Sequence, residues 1–117
     1  MKVMKFGGTS VANADRITEL RHIVAERLQT TPRIVVVVSA LGGLTDQLIA
    51  IARLAEASNE QYKAELQTVY ERHRTVIYRL FTPETKAPVI AYLQEKNDNL
   101  EKLLYGVSLI RELSDRT

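Results

Sequence analysis

The sequence has no cysteine and only two histidines, His22 and His73, which lie far apart. No cysteine means no disulfide framework, no thiolate metal site and no cysteine nucleophile. Two distant histidines argue against a histidine-based metal centre. Long apolar runs are absent as well. The longest, Ile34 to Val38, is far too short to span a bilayer. The N-terminus runs into a short strand with a lysine inside it, which is not the pattern of a signal peptide. A large charge of one sign is missing too. The net charge is +2 over 117 residues, with 26% charged side chains of both signs mixed along the chain. Nothing in that balance predicts a nucleic-acid or membrane surface. The expectation is a cytoplasmic protein with no nucleic-acid and no membrane partner.

What is present begins with Lys5-Phe6-Gly7-Gly8-Thr9-Ser10, directly after Val3 and Met4. Glycines allow close approach to the backbone and unusual turns. Backbone N–H groups, two hydroxyls and an ammonium form a donor set with no acid beside it, which suits an anion such as phosphate. The plainer reading is a tight strand-to-helix turn with a solvated lysine, and this stretch alone does not choose.

Met1 to Phe6 predicts a strand. Asn13 or Asp15 can cap a following helix of about 15 residues, whose stripe is Ile17, Leu20, Ile23, Val24 and Leu28. Thr30, Thr31 and Pro32 end it. Ile34-Val35-Val36-Val37-Val38 is β-branched without alternation, so both faces ask for burial, as in an interior strand of a parallel sheet. Strand, helix, strand makes a right-handed βαβ unit.

Helices alone follow. Leu48, Ile51, Ala52, Leu54 and Ala55 form one stripe, with Thr45 as its candidate cap. Ser58 and Gln61 have capping-box spacing before a longer stripe from Tyr62 to Leu80. Pro88 suits the first turn of a last helix, where proline is tolerated. The inner face of that helix reads as Val89, Tyr92, Leu93, Leu100, Leu103, Leu104 and Val107, and Gly106 is a weak point within it. The five tyrosines sit on or beside apolar stripes and read as core. Two strands do not make a stable open sheet, so further strands are expected from another chain or from a larger domain. An unpaired apolar edge predicts self-association.

Ligands of open α/β sheets bind beyond the carboxyl ends of the strands. There a second glycine-rich turn, Ser39-Ala40-Leu41-Gly42-Gly43-Leu44-Thr45, is expected beside the first. The P-loop template fails because Lys5 precedes the glycines. The dinucleotide G-x-G-x-x-G is absent, and Ser39 lacks a G-x-S-x-G elbow. Phosphoryl transfer by positioning and charge neutralisation remains.

Lys5-Phe6-Gly7-Gly8-Thr9-Ser10-Val11 resembles the opening signature of the aspartate kinases, in the amino-acid-kinase superfamily. Val38-Ser39-Ala40, Gly43 and Thr45-Asp46 resemble that family's second motif. Val11 to Asp15 and Gly106-Val107-Ser108-Leu109 look most like the bifunctional aspartokinase–homoserine dehydrogenases. The resemblance implies an α/β fold: residues 1–117 as the βαβ start of a three-layer αβα domain, followed by a mostly helical segment. It implies ATP-dependent phosphorylation of L-aspartate to 4-phospho-L-aspartate, in the biosynthesis of lysine, threonine and methionine, and a homo-oligomer. Lys5 would be catalytic, neutralising the transferring phosphoryl group. Lys5, Phe6, Gly7, Gly8, Thr9 and Ser10 would hold the ATP phosphates, and Ser39 and Thr45 the substrate. The family's Gly-Glu motif, adenine region and Mg²⁺ ligands are not in these 117 residues. The isolated chain is therefore expected to be inactive. The alternatives are another amino-acid kinase, or a helical interaction module whose glycine turns are only structural.

Overall fold

The computed structural model describes residues 1–116. Two short parallel strands and four α-helices follow one another, with the helices dominating. The chain divides into two compact units, Met1–Thr45 and Asp46–Thr117.

In the first unit, β1 (Lys2–Phe6) pairs with β2 (Ile34–Val38) in parallel, Lys2 opposite Ile34 and Phe6 opposite Val38. Each strand is short because a turn residue ends it: Gly7 after Phe6, Ser39 after Val38. A 3₁₀ turn over Gly8–Val11 leads into α1 (Ala14–Leu28), the crossover between the strands. Asn13 is the N-cap of α1, its side-chain oxygen accepting the Arg16 N–H at 3.0 Å, which satisfies one of the orphan amides of the first turn. Val11, Ala14 and Leu44 are buried.

The sheet departs from the expectation of a covered interior strand. Among the described residues it has two strands, and Val35, Val36, Val37 and Val38 are all exposed, Val38 at 55%. With two strands, β2 has one open edge, and its β-branched side chains are not buried on both faces.

The second unit is built from helices. α2 runs Leu44–Glu56, starting in the last residues of the first unit; α3 runs Gln61–Leu80 and α4 runs Pro83–Arg116. Ile51, Ala55, Tyr62, Leu66, Val69, Ile77 and Leu104 are buried. The spacing of the α3 residues follows the 3.6-residue period of one helical face.

Three local expectations are corrected. Ser58 is not an N-cap: it takes a left-handed backbone (φ 54°), and its hydroxyl donates to the Ser108 carbonyl of α4 at 3.0 Å. Asn59 instead accepts the Gln61 N–H at 3.0 Å. Pro83, not Pro88, occupies the first position of α4, where its missing N–H costs nothing. Pro88 lies inside the helix and leaves the Glu84 carbonyl without its usual donor. The helix also runs through Gly106 without ending there.

The inner face of α4 is narrower than its apolar content suggests. Leu104 is buried and Leu93, Leu100 and Val107 are half-buried, but Tyr92 and Leu103 are exposed. Tyr62 is the one fully buried tyrosine; Tyr78, Tyr92 and Tyr105 are exposed. His22 is exposed, whereas His73 is half-buried with its Nδ1 2.8 Å from the Val69 carbonyl.

Candidate phosphate-binding turns

Both glycine turns lie within the first unit, so their geometry is fixed by one sheet. The register puts Phe6 opposite Val38, and both strands end at the same level. The Ser39 N–H donates to the Phe6 carbonyl at 3.1 Å, carrying the ladder one step past the strands. The first turn then tightens, with the Ser10 N–H donating to the Gly7 carbonyl at 3.0 Å. The second closes with the Leu44 N–H donating to the Leu41 carbonyl at 2.9 Å.

The turns touch each other through glycine. A Cβ on Gly42 would stand 3.1 Å from the Gly8 carbonyl oxygen and 3.1 Å from the Ala12 Cβ. A Cβ on Gly8 would reach 3.5 Å from the Gly42 Cα. Gly42 is thus a close-approach glycine, and it does not supply the left-handed turn. That conformation belongs to Gly43 at φ +77°, the residue before α2. Gly43 therefore occupies the position before the helix, and Thr45 lies in the first turn of α2 rather than capping it.

Gly7 is different from all of these. Its backbone is extended, φ −79° and ψ 179°, which any residue can adopt. A Cβ there would meet no atom within 4 Å apart from its two chain neighbours. Neither backbone conformation nor packing requires glycine at this position. What its missing side chain leaves is open space in a hollow of about 430 Å³, lined by Lys5, Phe6, Gly7, Val37, Val38 and Ser39.

Four of the sequence-selected residues, Lys5, Phe6, Gly7 and Ser39, therefore share one hollow. Gly8 abuts Gly42 behind it. Ser10 lines a separate, smaller hollow with Phe6, Arg16 and Glu19 on the α1 side. Thr9 and Thr45 are exposed, and neither lines the Lys5 hollow. Gly42 was missed as a positional residue. Its signal lay in the sequence only as the second member of a Gly-Gly pair, because close backbone approach leaves no trace in spacing.

The donor set fits the phosphate tail of a nucleotide: an exposed ammonium, a hydroxyl and glycine backbone facing one open space. It does not fit a divalent cation. Among the described residues no three histidines or carboxylates are grouped as a metal site would need. No helix among them is long and apolar enough to cross a membrane.

The sequence profile of the amino acid kinase family matches residues 1–108. The chain belongs to the amino acid kinase family. Within it, the chain is 36% identical over 119 aligned residues to aspartokinase 1, chloroplastic, of Arabidopsis thaliana, covering 98% of this chain and 19% of that protein. It is 29% identical to bifunctional aspartokinase/homoserine dehydrogenase 2, chloroplastic, of the same plant, over 97% of this chain and 12% of that protein. An aspartokinase of Rickettsia felis is 40% identical over 57 residues, 49% of this chain and 14% of its own length. This amino acid kinase chain thus spans less than a fifth of the length of these relatives. The matched span includes both glycine turns, α2, α3 and α4 as far as residue 108, so the likeness is not confined to one motif.

Proposed function

We propose that residues 1–117 are the phosphate-holding part of an aspartate kinase centre, at the start of a three-layer αβα domain. In the whole enzyme a side-chain carboxylate oxygen of L-aspartate attacks the γ-phosphorus of ATP. A new O–P bond forms, the bond to the β–γ bridging oxygen breaks, and ADP leaves with 4-phospho-L-aspartate as product. ATP supplies the phosphoryl group; the residues of this chain hold and neutralise it. Lys5 sets a positive charge beside the transferring group, which lowers the cost of gathering anionic oxygens against an anionic acceptor. Gly7 lets the phosphates come against bare backbone, with Gly8, Thr9 and Ser10 completing the turn. Ser39 lies across the hollow, on the acceptor side. Thr45 holds the substrate aspartate only if it turns toward that hollow, which the exposed position leaves room for. No step is assigned to Mg²⁺, because the described residues offer it no ligand set. The cytoplasmic compartment and the role in lysine, threonine and methionine biosynthesis belong to this reading.

The observation that carries the reading is Gly7: a glycine that the fold does not require, in a hollow shared with Lys5 and Ser39. Calorimetric titration with ATP and with tripolyphosphate tests it. Both should bind the chain, and Lys5→Ala should weaken both by about tenfold, the effect of ~1.4 kcal/mol, without changing the melting temperature. Equal affinity for wild type and Lys5→Ala would overturn the assignment. Mixed with ATP and aspartate, the isolated chain should show no turnover, since it matches only 12% and 19% of the length of these relatives.

A further inference from the structure

Two backbone hydrogen bonds close the end of α2. The Ser58 N–H donates to the Ala55 carbonyl at 3.0 Å, and the Asn59 N–H reaches back to the Leu54 carbonyl at 2.8 Å. This pair is a Schellman turn with Ser58 in its left-handed position. Glycine is the usual residue there, because a side chain in that conformation crowds the backbone. At the start of the same helix the chain meets the same demand with Gly43, φ +77°. At the end it uses Ser58, φ 54°, the one non-glycine residue among those described with a positive φ.

The turn itself gives no reason for a serine. What the serine adds is its hydroxyl, which donates to the Ser108 carbonyl of α4 at 3.0 Å in a half-buried setting. Ser108 lies inside α4. A carbonyl oxygen has two lone pairs, so this one can accept Ser58 and keep its place in the helix. The bond falls where the burial of α4 stops. Leu104 is buried, Gly106, Val107 and Ser108 are half-buried, and every residue from Leu109 to Asp115 is exposed.

One backbone torsion governs all three bonds. When Ser58 leaves the left-handed region, its own N–H and that of Asn59 lose their carbonyls, and the hydroxyl is carried away from Ser108. Conversely, when the Ser108 bond breaks, Ser58 is left in a costly conformation with one compensation fewer. The end of α2 and the seat of α4 are therefore coupled, although fifty residues separate them.

We propose that Ser58 is a latch that holds the inner residues of α4, Leu104 to Ser108, onto the end of α2. Its release is a single opening, smaller than global unfolding, in which the turn and this part of α4 come free together.

Residue-by-residue amide exchange in the native state tests it, with circular dichroism and thermal melting on each variant. Ser58→Gly keeps the turn, which glycine prefers, and removes the hydroxyl. The amides from Leu104 to Glu112 should then exchange at least fivefold faster than in wild type, while those of residues 58 and 59 stay as protected and the helicity is unchanged. Ser58→Ala keeps the strained conformation without the hydroxyl, so it should speed exchange in both segments and melt below Ser58→Gly. In the wild type, low concentrations of urea should accelerate exchange in the two segments with the same slope. Unchanged exchange of α4 in Ser58→Gly overturns the proposal, since the hydroxyl would then hold nothing. So do different urea slopes for the two segments, which would mean that they open independently.

Discussion

Leu66 and Val36 are both apolar side chains in the middle of a regular element, and their surroundings are opposite. Leu66 is 4% exposed on α3, among the buried residues of the helical unit. Val36 is 39% exposed on β2, in the unit that carries the glycine turns. A helix makes its backbone hydrogen bonds within itself and needs a partner for one stripe only. A strand needs neighbours on both edges and cover on both faces, all of it from distant chain. The helical unit therefore buries the inner stripe of α3 within 72 residues, and the strand unit leaves Val35 to Val38 exposed. The chemistry-bearing turns sit on the less self-sufficient of the two.

The largest expected effect follows directly. Leu66→Ala should lower the unfolding free energy of its unit by about 2–5 kcal/mol, the range for emptying a packed leucine site. Val36→Ala should cost less than about 1 kcal/mol, because a third or more of that side chain already meets water. Denaturant melts followed by circular dichroism for the first, and amide exchange of β1 and β2 for the second, read the two separately. A Val36→Ala cost equal to that of Leu66→Ala would mean that the strand is covered in solution, and the contrast would collapse.

A smaller effect separates two glycines that look alike in the sequence. Gly42→Ala puts a Cβ 3.1 Å from the Gly8 oxygen and the Ala12 Cβ, so one turn must move. The expected cost is about 1–3 kcal/mol, together with weaker ATP binding, since the two turns would no longer share one hollow. Gly106→Ala, with nothing near it, should raise the stability of the chain in dilute solution by roughly 0.5–1 kcal/mol. Thermal melts of the two variants side by side decide it; a stabilised Gly42→Ala would remove the reason given for the contact between the turns.

These contrasts mark what was legible in the sequence. The βαβ order, the Asn13 cap and the extent of α1 depend on local chemistry, and the structure has them. The stripe of α3 was legible for the same reason. That Lys5, Gly7 and Ser39 share a hollow followed from two parallel strands ending together, a rule of topology rather than of residue type. What was not legible depends on tertiary detail. Ser58 and Gln61 had capping-box spacing, but Ser58 is used to reach Ser108, fifty residues on. Tyr92 and Leu103 fit the inner stripe of α4 by period, yet a 34-residue helix can carry two stripes about 100° apart, and spacing alone does not say which one is covered. The roles of Gly42 and Gly43 divide according to backbone angles that neighbouring glycines do not announce.

The smallest effect lies at the α3–α4 corner, in the unit without the glycine turns. Arg74 donates from its guanidinium to the Tyr78 hydroxyl at 3.2 Å and lies 5.0 Å from the ring centre, while the Lys86 ammonium lies 4.2 Å from it. The hydrogen bond and charge of Arg74, with a smaller contribution from Lys86, lower the Tyr78 pKa below the ordinary tyrosine value, and the same bond raises that of Arg74. The depressed pKa favours the folded state only where the phenol is ionised. Its contribution is present above the unfolded-state pKa and is lost as the pH falls through the folded one, so nothing changes at neutral pH. Ultraviolet titration should show one tyrosine ionising ahead of the others, and Arg74→Met should move it back among them while Lys86→Met moves it less. If Lys86→Met has the larger effect, the ammonium over the ring, not the guanidinium on the hydroxyl, governs the corner. The helical unit would then owe this contact to α4 rather than to α3 alone.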